Sequence, residues 1–593
     1  MADHAVLGRA MSAPHPPTMT APRPPRLTRP RIFREPTSTL TFAALIVIIL
    51  GLVLYPATSL LIESIRAEDG GWTLARYQLF FSSTYFRHTL YNTLLIAGIA
   101  AFLAQILGFF FAYGVVRCAI PGKTIFSAIV LLPMLLPAFL IAFALILLLG
   151  RNGLINRGLF QVGEWLQLAD PSALQWVIFG SHGVILAQTL TFFPLAFLVY
   201  SAALTAMDPR LEEAARDMGA SYWYTLTRVT LPLLAPAAFS STLLVFMFNV
   251  SSFGAPALLS GGRLFFPDAT MLAPEAIIQI LGMFDWGMGT TIAVILIVPS
   301  LLVYFLGEHY LKRRSYITVT GNPSGSSPMP VPKGVQRLVF GVCLAITLFI
   351  ICILVVILLG AFTRTWGVNY DLTLRHFHTA LRASSESITN SLVLAVGGAL
   401  AAATFGTIAA YLYNRRPFPG VNILDFFSML PYALPGVVMG LGFAVAFGGR
   451  IGFLVLTGTW AIIFLNHIIR RMPFALRNAA GALKQIDPAL EEAAADLGAR
   501  PAYNFVRVTL PLLRASFLGA FVFGFINMMT DITAVIFLVS PRWRLLSIDL
   551  FNAIDAGRLG VAAALSTIMI ASTFLVLALA WKLSGRGLDF FKK

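Results

Sequence analysis

Charged side chains are scarce in this sequence. Asp, Glu, Lys and Arg together make up 11% of its 593 residues, while hydrophobic residues make up 58%, and the mean hydropathy is +0.81. Because a soluble domain carries about 25% charged residues, most of this chain must face lipid or other apolar helices. Alternating strands of about ten residues, the pattern of an outer-membrane barrel, are missing as well. The composition therefore predicts an all-α polytopic membrane protein.

Cysteine is nearly absent too. The three cysteines are Cys118, Cys343 and Cys352, and the last two lie in one apolar segment. This number and spacing exclude a disulfide framework and a CxxC metal site. Redox chemistry, a metal site and a cofactor are therefore not expected.

The sequence also lacks the motifs of an enzyme. It contains no HExxH motif and no Ser/His/Asp set, so no catalytic residues are predicted. Gly122-Lys123-Thr124 looks like the end of a P-loop, but Arg117 stands where the earlier glycine is needed. Without that phosphate cradle, ATP must be hydrolysed by another polypeptide.

Twelve apolar runs fill most of the chain. A helix that crosses ~30 Å of hydrocarbon needs about 20 apolar residues, and each run is about that long. Six runs precede and six follow a polar segment with the composition of a flexible linker. The runs lie at about 40–62, 92–116, 124–149, 182–206, 236–260 and 286–309, and then at 338–362, 390–413, 422–447, 455–479, 515–540 and 559–581.

The runs and the linker divide the chain into five parts. A tail at 1–39 is rich in Pro and Arg and is predicted to be disordered. A first six-span domain at 40–310 is joined by the linker at 311–337 to a second domain at 338–582, and a short tail occupies 583–593. An even number of spans predicts that both termini lie on one side of the membrane.

Positive charge predicts which side that is. The formal net charge is +16, and Lys and Arg collect in both tails and in the linker. Such segments stay in the cytoplasm and face the anionic leaflet of the lipid membrane, so nucleic acid is not expected as a partner. We therefore predict a multi-pass protein whose tails and linker are cytoplasmic.

One polar stretch occurs twice. Residues 208–236 and 487–515, here called the first and second islands, align without a gap at an offset of 279. Other matched residues align at an offset of 298. They are Asn92, Pro121, Gly122, Pro133 and Pro137 in the first half, and Asn390, Pro419, Gly420, Pro431 and Pro435 in the second. Because each copy contains six spans, the two repeats are parallel.

Each island is predicted to form a helix, a glycine turn and a second short helix at the membrane surface. Asp208 and Asp487 are suited to cap a helix whose first turns hold paired glutamates, and the proline after each fits the first helical position. Gly219 and Gly498 stand where a helix ends in a left-handed residue. The acidic and small faces of this unit are suited to docking into a groove of a partner in the cytoplasm.

The islands resemble the EAA loop of the membrane subunits of binding-protein-dependent ABC importers. That loop has Glu-Ala-Ala, a glycine after three further residues, and then a hydrophobic residue before Leu-Pro. Glu213-Ala214-Ala215, Gly219 and Thr230-Leu231-Pro232 follow this pattern with Thr at the hydrophobic position, and the second island matches it in the same way. The resemblance covers about 85–590.

This resemblance implies 12 transmembrane helices as two parallel six-helix ABC-importer permease repeats in a bacterial-type plasma (inner) membrane. It also implies two partners, a cytoplasmic ABC ATPase dimer that seats one island in each subunit and an extracytoplasmic solute-binding protein. The residues implied in ATPase coupling are Glu212, Glu213, Ala214, Ala215, Gly219, Glu491, Glu492, Ala493, Ala494 and Gly498.

The translocation path is expected between the two halves, near the membrane midplane. Paired prolines break the third span of each half and expose backbone groups that tolerate this depth only against protein or water. Ionisable residues inside the membrane also mark such paths, although a buried Asp531–Arg471 pair with a purely structural role is an alternative. The residues predicted to line the path are Pro133, Pro137, Ser252, Pro431, Pro435, His467, Arg471 and Asp531.

The fused layout most resembles that of ferric-iron permeases, so ferric iron is the predicted cargo. Permeases for thiamine, polyamines or phosphonates share the layout, and the sequence leaves these cargoes open. A secondary transporter driven by an ion gradient would also contain twelve spans in two parallel halves. Matched acidic islands have no use in such a carrier, and they favour the ABC importer.

Overall fold

The computed structural model describes most of the predicted membrane region. It covers residues 36–260, 270–313, 329–415, 418, 420–449 and 455–584. The tail residues 1–35, the linker residues 314–328 and the tail residues 585–593, together with Pro419, lie outside the described residues. The predictions made for those residues therefore remain predictions.

Helices account for nearly all of the first half, because a chain in lipid must satisfy its backbone hydrogen bonds internally. The helices are α1 (Pro36–Ile49), α2 (Tyr55–Ser64), α3 (Ala75–Ser82), α4 (Thr84–Val116), α5 (Lys123–Val130), α6 (Leu132–Leu135), α7 (Ala138–Leu149), α8 (Leu154–Trp165), α9 (Ser181–Ala206), α10 (Arg210–Asp217), α11 (Tyr222–Thr225), α12 (Leu231–Val250), α13 (Gly254–Leu259), α14 (Leu272–Ile277) and α15 (Trp286–Arg313). Short 3-10 or π turns occupy Leu50–Leu54, Pro171–Leu174, Leu226–Thr230 and Ile278–Gly282.

The described part of the second half has a similar order of helices, with one short hairpin and without a described counterpart of α8. Its helices are α16 (Lys333–Phe362), α17 (Arg375–Ala383), α18 (Ser385–Arg415), α19 (Val421–Ala433), α20 (Gly436–Ala446), α21 (Trp460–Leu483), α22 (Ala489–Asp496), α23 (Pro501–Asn504), α24 (Leu510–Leu512), α25 (Arg514–Met529), α26 (Leu546–Asp555) and α27 (Leu559–Ser584). Strands β1 (Thr363–Thr365) and β2 (Asn369–Leu372) pair antiparallel with Thr363 opposite Leu372. Short 3-10 or π turns occupy Phe505–Thr509 and Val535–Phe537.

The repeat found in the sequence is also a repeat of secondary structure. The pairs α10 and α22, and α11 and α23, begin and end at residues separated by the same offset of 279. The π turns Leu226–Thr230 and Phe505–Thr509 that follow them obey the same offset. The two islands therefore have the same backbone course.

The protein is an all-α polytopic membrane protein. Among the described residues, nine helices are long and apolar enough to cross a membrane, or up to eleven if each of two bent pairs counts as one span. The predicted span 455–479 forms the 24-residue helix α21, but three arginines, Arg470, Arg471 and Arg477, exclude it from that apolar class. The count of twelve spans remains a prediction.

The third span of each half is broken, as the prolines predicted. The break falls at Leu136–Pro137 in the first half and at Leu434–Pro435 in the second, where the backbone becomes extended. In the second half, the helices on either side of the break meet at 106°. The residue before a proline is pushed out of the helical region, so Pro137 and Pro435 cause the break. Pro133 and Pro431 instead lie within helices.

The fifth span of each half ends earlier than its hydrophobic pattern predicts. The predicted runs 236–260 and 515–540 were expected to be continuous, but α12 ends at Val250 and α25 ends at Met529. Asp531 therefore lies just beyond a helix end and not deep within a helix. Its side chain accepts hydrogen bonds there from the Thr533 hydroxyl and, at 3.5 Å, the Ala534 amide, both in the segment that follows the helix end.

Within each half, a glycine lets two long helices touch. Gly108 of α4 faces Ala196 of α9, and a Cβ added to Gly108 would lie 2.5 Å from the Ala196 Cβ. Gly406 of α18 faces Ala475 of α21 with the same 2.5 Å separation. Small residues at such crossings permit the close van der Waals contact that holds membrane helices together. The two glycines are related by the offset of 298 and the two alanines by the offset of 279, so the same helix contact occurs in both halves.

The two halves exchange their first helices. Helix α2 of the first half packs on α20 of the second, and α16 of the second half packs on α7 of the first. The Tyr55 hydroxyl donates a hydrogen bond to the Ala446 carbonyl at 3.1 Å, and the Trp366 indole donates one to the Leu147 carbonyl at 3.0 Å. One cluster of buried apolar side chains runs through both halves. The halves therefore share a core, which positions anything that lies between them.

Adding a methyl group to Gly108 should destabilise the protein. In Gly108→Ala, the new Cβ would meet the Ala196 Cβ at 2.5 Å and the Phe197 backbone nitrogen at 2.8 Å, and such overpacking costs roughly 1–3 kcal/mol. Gly98→Ala on the same helix has no described atom within 4 Å of its Cβ, and it should be neutral or stabilising because alanine favours the helix. Thermal unfolding in detergent measures both. Equal melting temperatures for the two variants would contradict this account of the crossing.

Candidate functional site

Each island begins with the predicted cap. The Asp208 carboxylate accepts a hydrogen bond from the Arg210 amide at 3.0 Å, and the Asp487 carboxylate accepts one from the Ala489 amide at 2.9 Å. These are the bonds of an aspartate N-cap to the second helical residue. The regular helices begin at Arg210 and Ala489, one residue later than predicted.

Each island turns at the predicted glycine. Gly219 and Gly498 have φ angles of +85° and +83°, and no described atom lies within 4 Å of a Cβ added to either. The glycines are therefore needed for the left-handed backbone and not for space. The turn directs α11 and α23 back toward the membrane helices.

The first glutamate of the first island points into the protein. Glu212 is 2% exposed. Its Oε1 lies 3.4 Å from Arg117 Nη2 and accepts the Thr230 hydroxyl at 2.9 Å, while its Oε2 lies 3.5 Å from the Met329 amide nitrogen. Burial raises the pKa of the neighbouring Cys118 thiol to about 11, because desolvation penalises the thiolate. Glu212 is the carboxylate that the structure places beside the Arg117 guanidinium.

The second island contains the same cluster. Glu491 Oε1 lies 3.3 Å from Arg415 Nε and accepts the Thr509 hydroxyl at 3.1 Å. Arg415 also donates to the carbonyl oxygens of Leu483 and Ile486 at the end of α21, at 3.1 and 2.7 Å. We call Arg117–Glu212–Thr230 and Arg415–Glu491–Thr509 the first and second anchor clusters. Each ties its island to the end of the long second span of its half.

Sequence reasoning missed the arginines of both anchor clusters. Arg117 and Arg415 are separated by 298, the offset that relates the other matched residues of the first spans. That shared offset was the available signal. The offset alone does not indicate an ion pair, because an arginine that follows a membrane span is ordinarily explained by contact with lipid.

The predicted coupling residues therefore divide into two groups. Glu212 and Ala215 are buried within this chain, and Glu491, Ala494 and Glu213 are partly buried. The exposed predicted residues are Ala214, Gly219, Glu492, Ala493 and Gly498. Large apolar side chains are also exposed on the islands, among them Leu211, Met218, Leu490 and Leu497. The outward surface of each island thus combines apolar and small side chains with charged ones, such as Arg216 and Asp217 in the first island and Glu492 and Asp496 in the second.

A cavity of about 440 Å³ lies between the two halves. Seven of the eight residues predicted for the path line it, namely Pro133, Pro137, Ser252, Pro431, Pro435, Arg471 and Asp531. His467 lies behind this lining, with its Nδ1 4.0 Å from Asp531 Oδ2. The fold therefore brings the predicted path residues of both halves to one place.

The cavity is lined by equivalent positions of the two halves. Its lining includes the pairs Pro133 and Pro431, Pro137 and Pro435, Thr191 and Arg470, Phe192 and Arg471, Leu195 and Phe474, Leu244 and Phe523, Phe248 and Asn527, and Ser252 and Asp531. The members of each pair are related by the offset of 298 for the prolines and 279 for the others. The cavity therefore lies on the axis that relates the repeats, although the side chains on its two sides differ.

The charged side chains of the lining come from the second half. Asp531 forms an ion pair with Arg470, and its Oδ2 lies 3.6 Å from Arg471 Nη2. The expected Asp531–Arg471 contact is thus present, but Arg470, which was not among the predicted path residues, is the closer partner. Its charge within the predicted span 455–479 was a signal in the sequence.

Aromatic rings close part of the space between the halves. Phe192 stacks on Phe248 with ring centroids 5.8 Å apart, and Phe248 meets the edge of Tyr432 of the other half at 6.1 Å. Phe474 and Phe523 stack at 3.7 Å. Rings in such contact attract each other beyond their buried area, so this part of the cavity wall is apolar while the wall at Asp531 is ionic.

Comparison with known proteins gives one family. A sequence model of the family described as "Binding-protein-dependent transport system inner membrane component" matches residues 104–316 and 402–586. Each matched segment contains one island and one anchor cluster. The two matches together cover most of the chain.

Two of the relatives described here match most of the chain, and a third matches less than half of it. The ferric transport system permease protein FbpB of Actinobacillus pleuropneumoniae is 28% identical over 540 residues, which cover 89% of this chain and 75% of the relative. A putative ferric transport system permease protein FbpB 1 of Haemophilus influenzae is also 28% identical, over 84% of this chain and 78% of its own length. A putative 2-aminoethylphosphonate transport system permease protein PhnV of Salmonella choleraesuis is 31% identical over 42% of this chain and 95% of its own length.

Removing the carboxylate of the first anchor cluster should loosen the first island. Glu212→Gln leaves the Arg117 side chain, which is 4% exposed, without a counter-charge, and breaking a buried pair in this way costs roughly 3–5 kcal/mol. We expect faster amide hydrogen exchange across α10 and α11, measured by mass spectrometry in detergent. Glu491→Gln should have a smaller effect, because the side chains of Glu491 and Arg415 are 13% and 15% exposed.

The matched control is the neighbouring glutamate. The Glu213 side chain is 40% exposed and lies 4.0 Å from an exposed Arg216, a kind of pair that contributes about 0–1 kcal/mol. Glu213→Gln should therefore leave hydrogen exchange in the island unchanged. If Glu212→Gln and Glu213→Gln gave the same exchange as the wild type, the anchoring role of Glu212 would be rejected.

Proposed function

Because this chain belongs to the family of inner membrane components of binding-protein-dependent transport systems, we propose that it forms the complete translocation path of an ABC importer for ferric iron. It is a multi-pass inner-membrane permease with both permease units on one chain. The proposed units are the domains predicted at 40–310 and 338–582. The observation that carries the proposal is the pair of equally built, equally anchored islands.

We propose that each island docks into one subunit of a cytoplasmic ATPase dimer. Exposed apolar side chains such as Met218 and Leu497, which are 84% and 90% exposed, would enter a groove of the partner. The anchor cluster behind each island would pass the motion of the ATPase to the long second span. ATP hydrolysis is assigned to that partner, and this chain is proposed to have no enzymatic role.

The proposed orientation places both islands, both tails and the linker in the cytoplasm. Contacts at one end of the helix bundle support the placement of these segments on the same side of the membrane. Phe42 near the start of the first span lies 4.4 Å from Phe418, at the turn after α18, and Met329 at the end of the linker contacts Glu212 of the first island. A solute-binding protein would then deliver cargo at the opposite end.

Ferric iron is the proposed cargo because the relatives that span most of this chain are named as ferric transport permeases. A phosphonate is the second candidate, since two guanidinium groups line the cavity and a relative over 42% of the chain is named for 2-aminoethylphosphonate. Thiamine and polyamines, which the layout also allowed, have no comparable support.

Two substitutions in the first island should uncouple ATP hydrolysis from import. Glu213→Lys reverses the acidic charge at the docking surface, and Gly219→Val forces a β-branched residue into a left-handed backbone. We expect iron uptake into proteoliposomes to fall while the partner ATPase still hydrolyses ATP and the membrane domain remains folded, which thermal unfolding checks. Wild-type ATPase association and uptake in both variants would show that the island is only a connector.

The matched variants of the second island are Glu492→Lys and Gly498→Val. They test whether the two docking sites are equivalent, because the islands differ at Arg216 against Ala495 and at Ser221 against Arg500. Equal loss of uptake from either island would indicate equivalent sites.

The energy source separates the importer from a gradient-driven carrier. Vesicles that hold an ion gradient but contain no ATP should take up no iron, and ATP should restore uptake when the partner ATPase is present. The partner ATPase should also co-purify with this chain. Full uptake without ATP would reject the importer and favour a secondary transporter.

A further inference from the structure

The carboxylate in the cavity has its acceptor positions occupied. Asp531 Oδ2 forms an ion pair with Arg470 and lies 3.6 Å from Arg471 Nη2. Asp531 Oδ1 accepts the Thr533 hydroxyl at 3.0 Å and lies 3.5 Å from the Ala534 amide. A carboxylate offers about four acceptor positions, so Asp531 has little capacity left for a further ligand.

The guanidinium groups beside it have donors to spare. Arg470 and Arg471 carry five N–H donors each, and their side chains are 10% and 16% exposed. Apart from Asp531, the described partner of Arg471 is the Asn527 carbonyl at 3.4 Å. The Nε atoms of both arginines are buried without a hydrogen-bond partner among the described residues. Buried donors of this kind are costly unless something accepts from them.

The lining of the cavity carries an excess of positive charge, which also favours an anionic ligand. Two arginines face one carboxylate, and the other polar residues that the structure describes in the lining are Thr, Ser, Asn and Tyr. The positions equivalent to Arg470 and Arg471 in the first half are Thr191 and Phe192, which add no charge. A bare trivalent cation would be repelled by this lining. An anion would instead balance the positive charge of the lining and accept hydrogen bonds from the two guanidinium groups.

We propose that Arg470 and Arg471 form an oxyanion subsite in the cavity, and that the cargo presents anionic oxygen atoms to it. Guanidinium groups bind phosphate and carboxylate oxygens through paired hydrogen bonds. The proposal rests on the proposed ferric cargo, and for that cargo it means that iron crosses as a complex with an oxyanion and not as a bare ion. Asp531 holds the two arginines in place and is not itself a ligand of the metal.

Doubly labelled transport tests this directly. The full chain is reconstituted in proteoliposomes with its ATPase and its binding protein, and radioactive ferric iron is supplied with labelled inorganic phosphate or, separately, with labelled citrate. We expect iron and at least one of these anions to accumulate inside in a fixed ratio. Iron that accumulates without either anion would overturn the proposal while leaving the ferric importer intact.

Variants on α21 locate the subsite. Arg471→Gln should lower the initial rate of uptake of both labels about tenfold, the effect of one charge-assisted hydrogen bond, and Arg471→Lys should retain part of the rate. Arg477→Gln is the control, because Arg477 is half exposed and pairs with Asp425 at 3.0 Å away from the cavity lining. Thermal unfolding of each variant checks its fold. Equal rates in Arg471→Gln and Arg477→Gln would place the subsite elsewhere.

A binding measurement separates the subsite from the cargo. If the wild type imports no iron, the ferric cargo fails, and equilibrium dialysis of labelled phosphate against the solubilised chain then decides the subsite. Phosphate binding that disappears in Arg471→Gln and persists in Arg477→Gln supports it. Absent binding, or binding equal in both variants, rejects it.

Discussion

The buried pairing of an arginine with the first glutamate of each island is the constraint on which the rest of this structure depends. An arginine and a glutamate that are both nearly excluded from water cannot separate without leaving a charge unpaired. The island is therefore fixed to the end of the long second span, and that span is in turn packed against α9 or α21 through a glycine. In the proposed coupling, a movement of the island would be passed to these helices, and α9 and α21 carry some of the side chains that line the cavity.

The cavity combines a symmetric position with asymmetric chemistry. Equivalent positions of the two repeats line it, and the broken third spans of both halves contribute their prolines. All of its described charge comes from the second half, where Asp531 holds two arginines together. Equivalent backbone positions thus surround the cavity, and single side-chain differences such as Ser252 against Asp531 give one wall its ionic character. A cavity of this kind can be asymmetric in charge although its backbone is repeated.

Some parts of the site could be predicted because their causes are local. A left-handed glycine, an aspartate cap and a proline break each depend on a few neighbouring residues, and Gly219, Asp208 and Pro137 behave as those rules require. Other parts could not be predicted because their causes are distant. Nothing near Glu212 in the sequence indicates that it pairs with Arg117. The apolar run 236–260 contains no charge, and neither of its prolines, Pro236 and Pro256, lies at Val250, where α12 ends.

The sequence by itself determined the membrane class, the internal repeat, the two islands and most of the residues singled out that line the cavity, because composition, periodicity and duplication can be read without knowing which residues meet. Only the tertiary structure decided which glutamate of each island faces inward, that Arg470 is the closer partner of Asp531, and that the first helices are exchanged between the halves. These features depend on contacts between residues tens to hundreds of positions apart. Burial and pairing across such distances are properties of the packed chain, so no local pattern could reveal them.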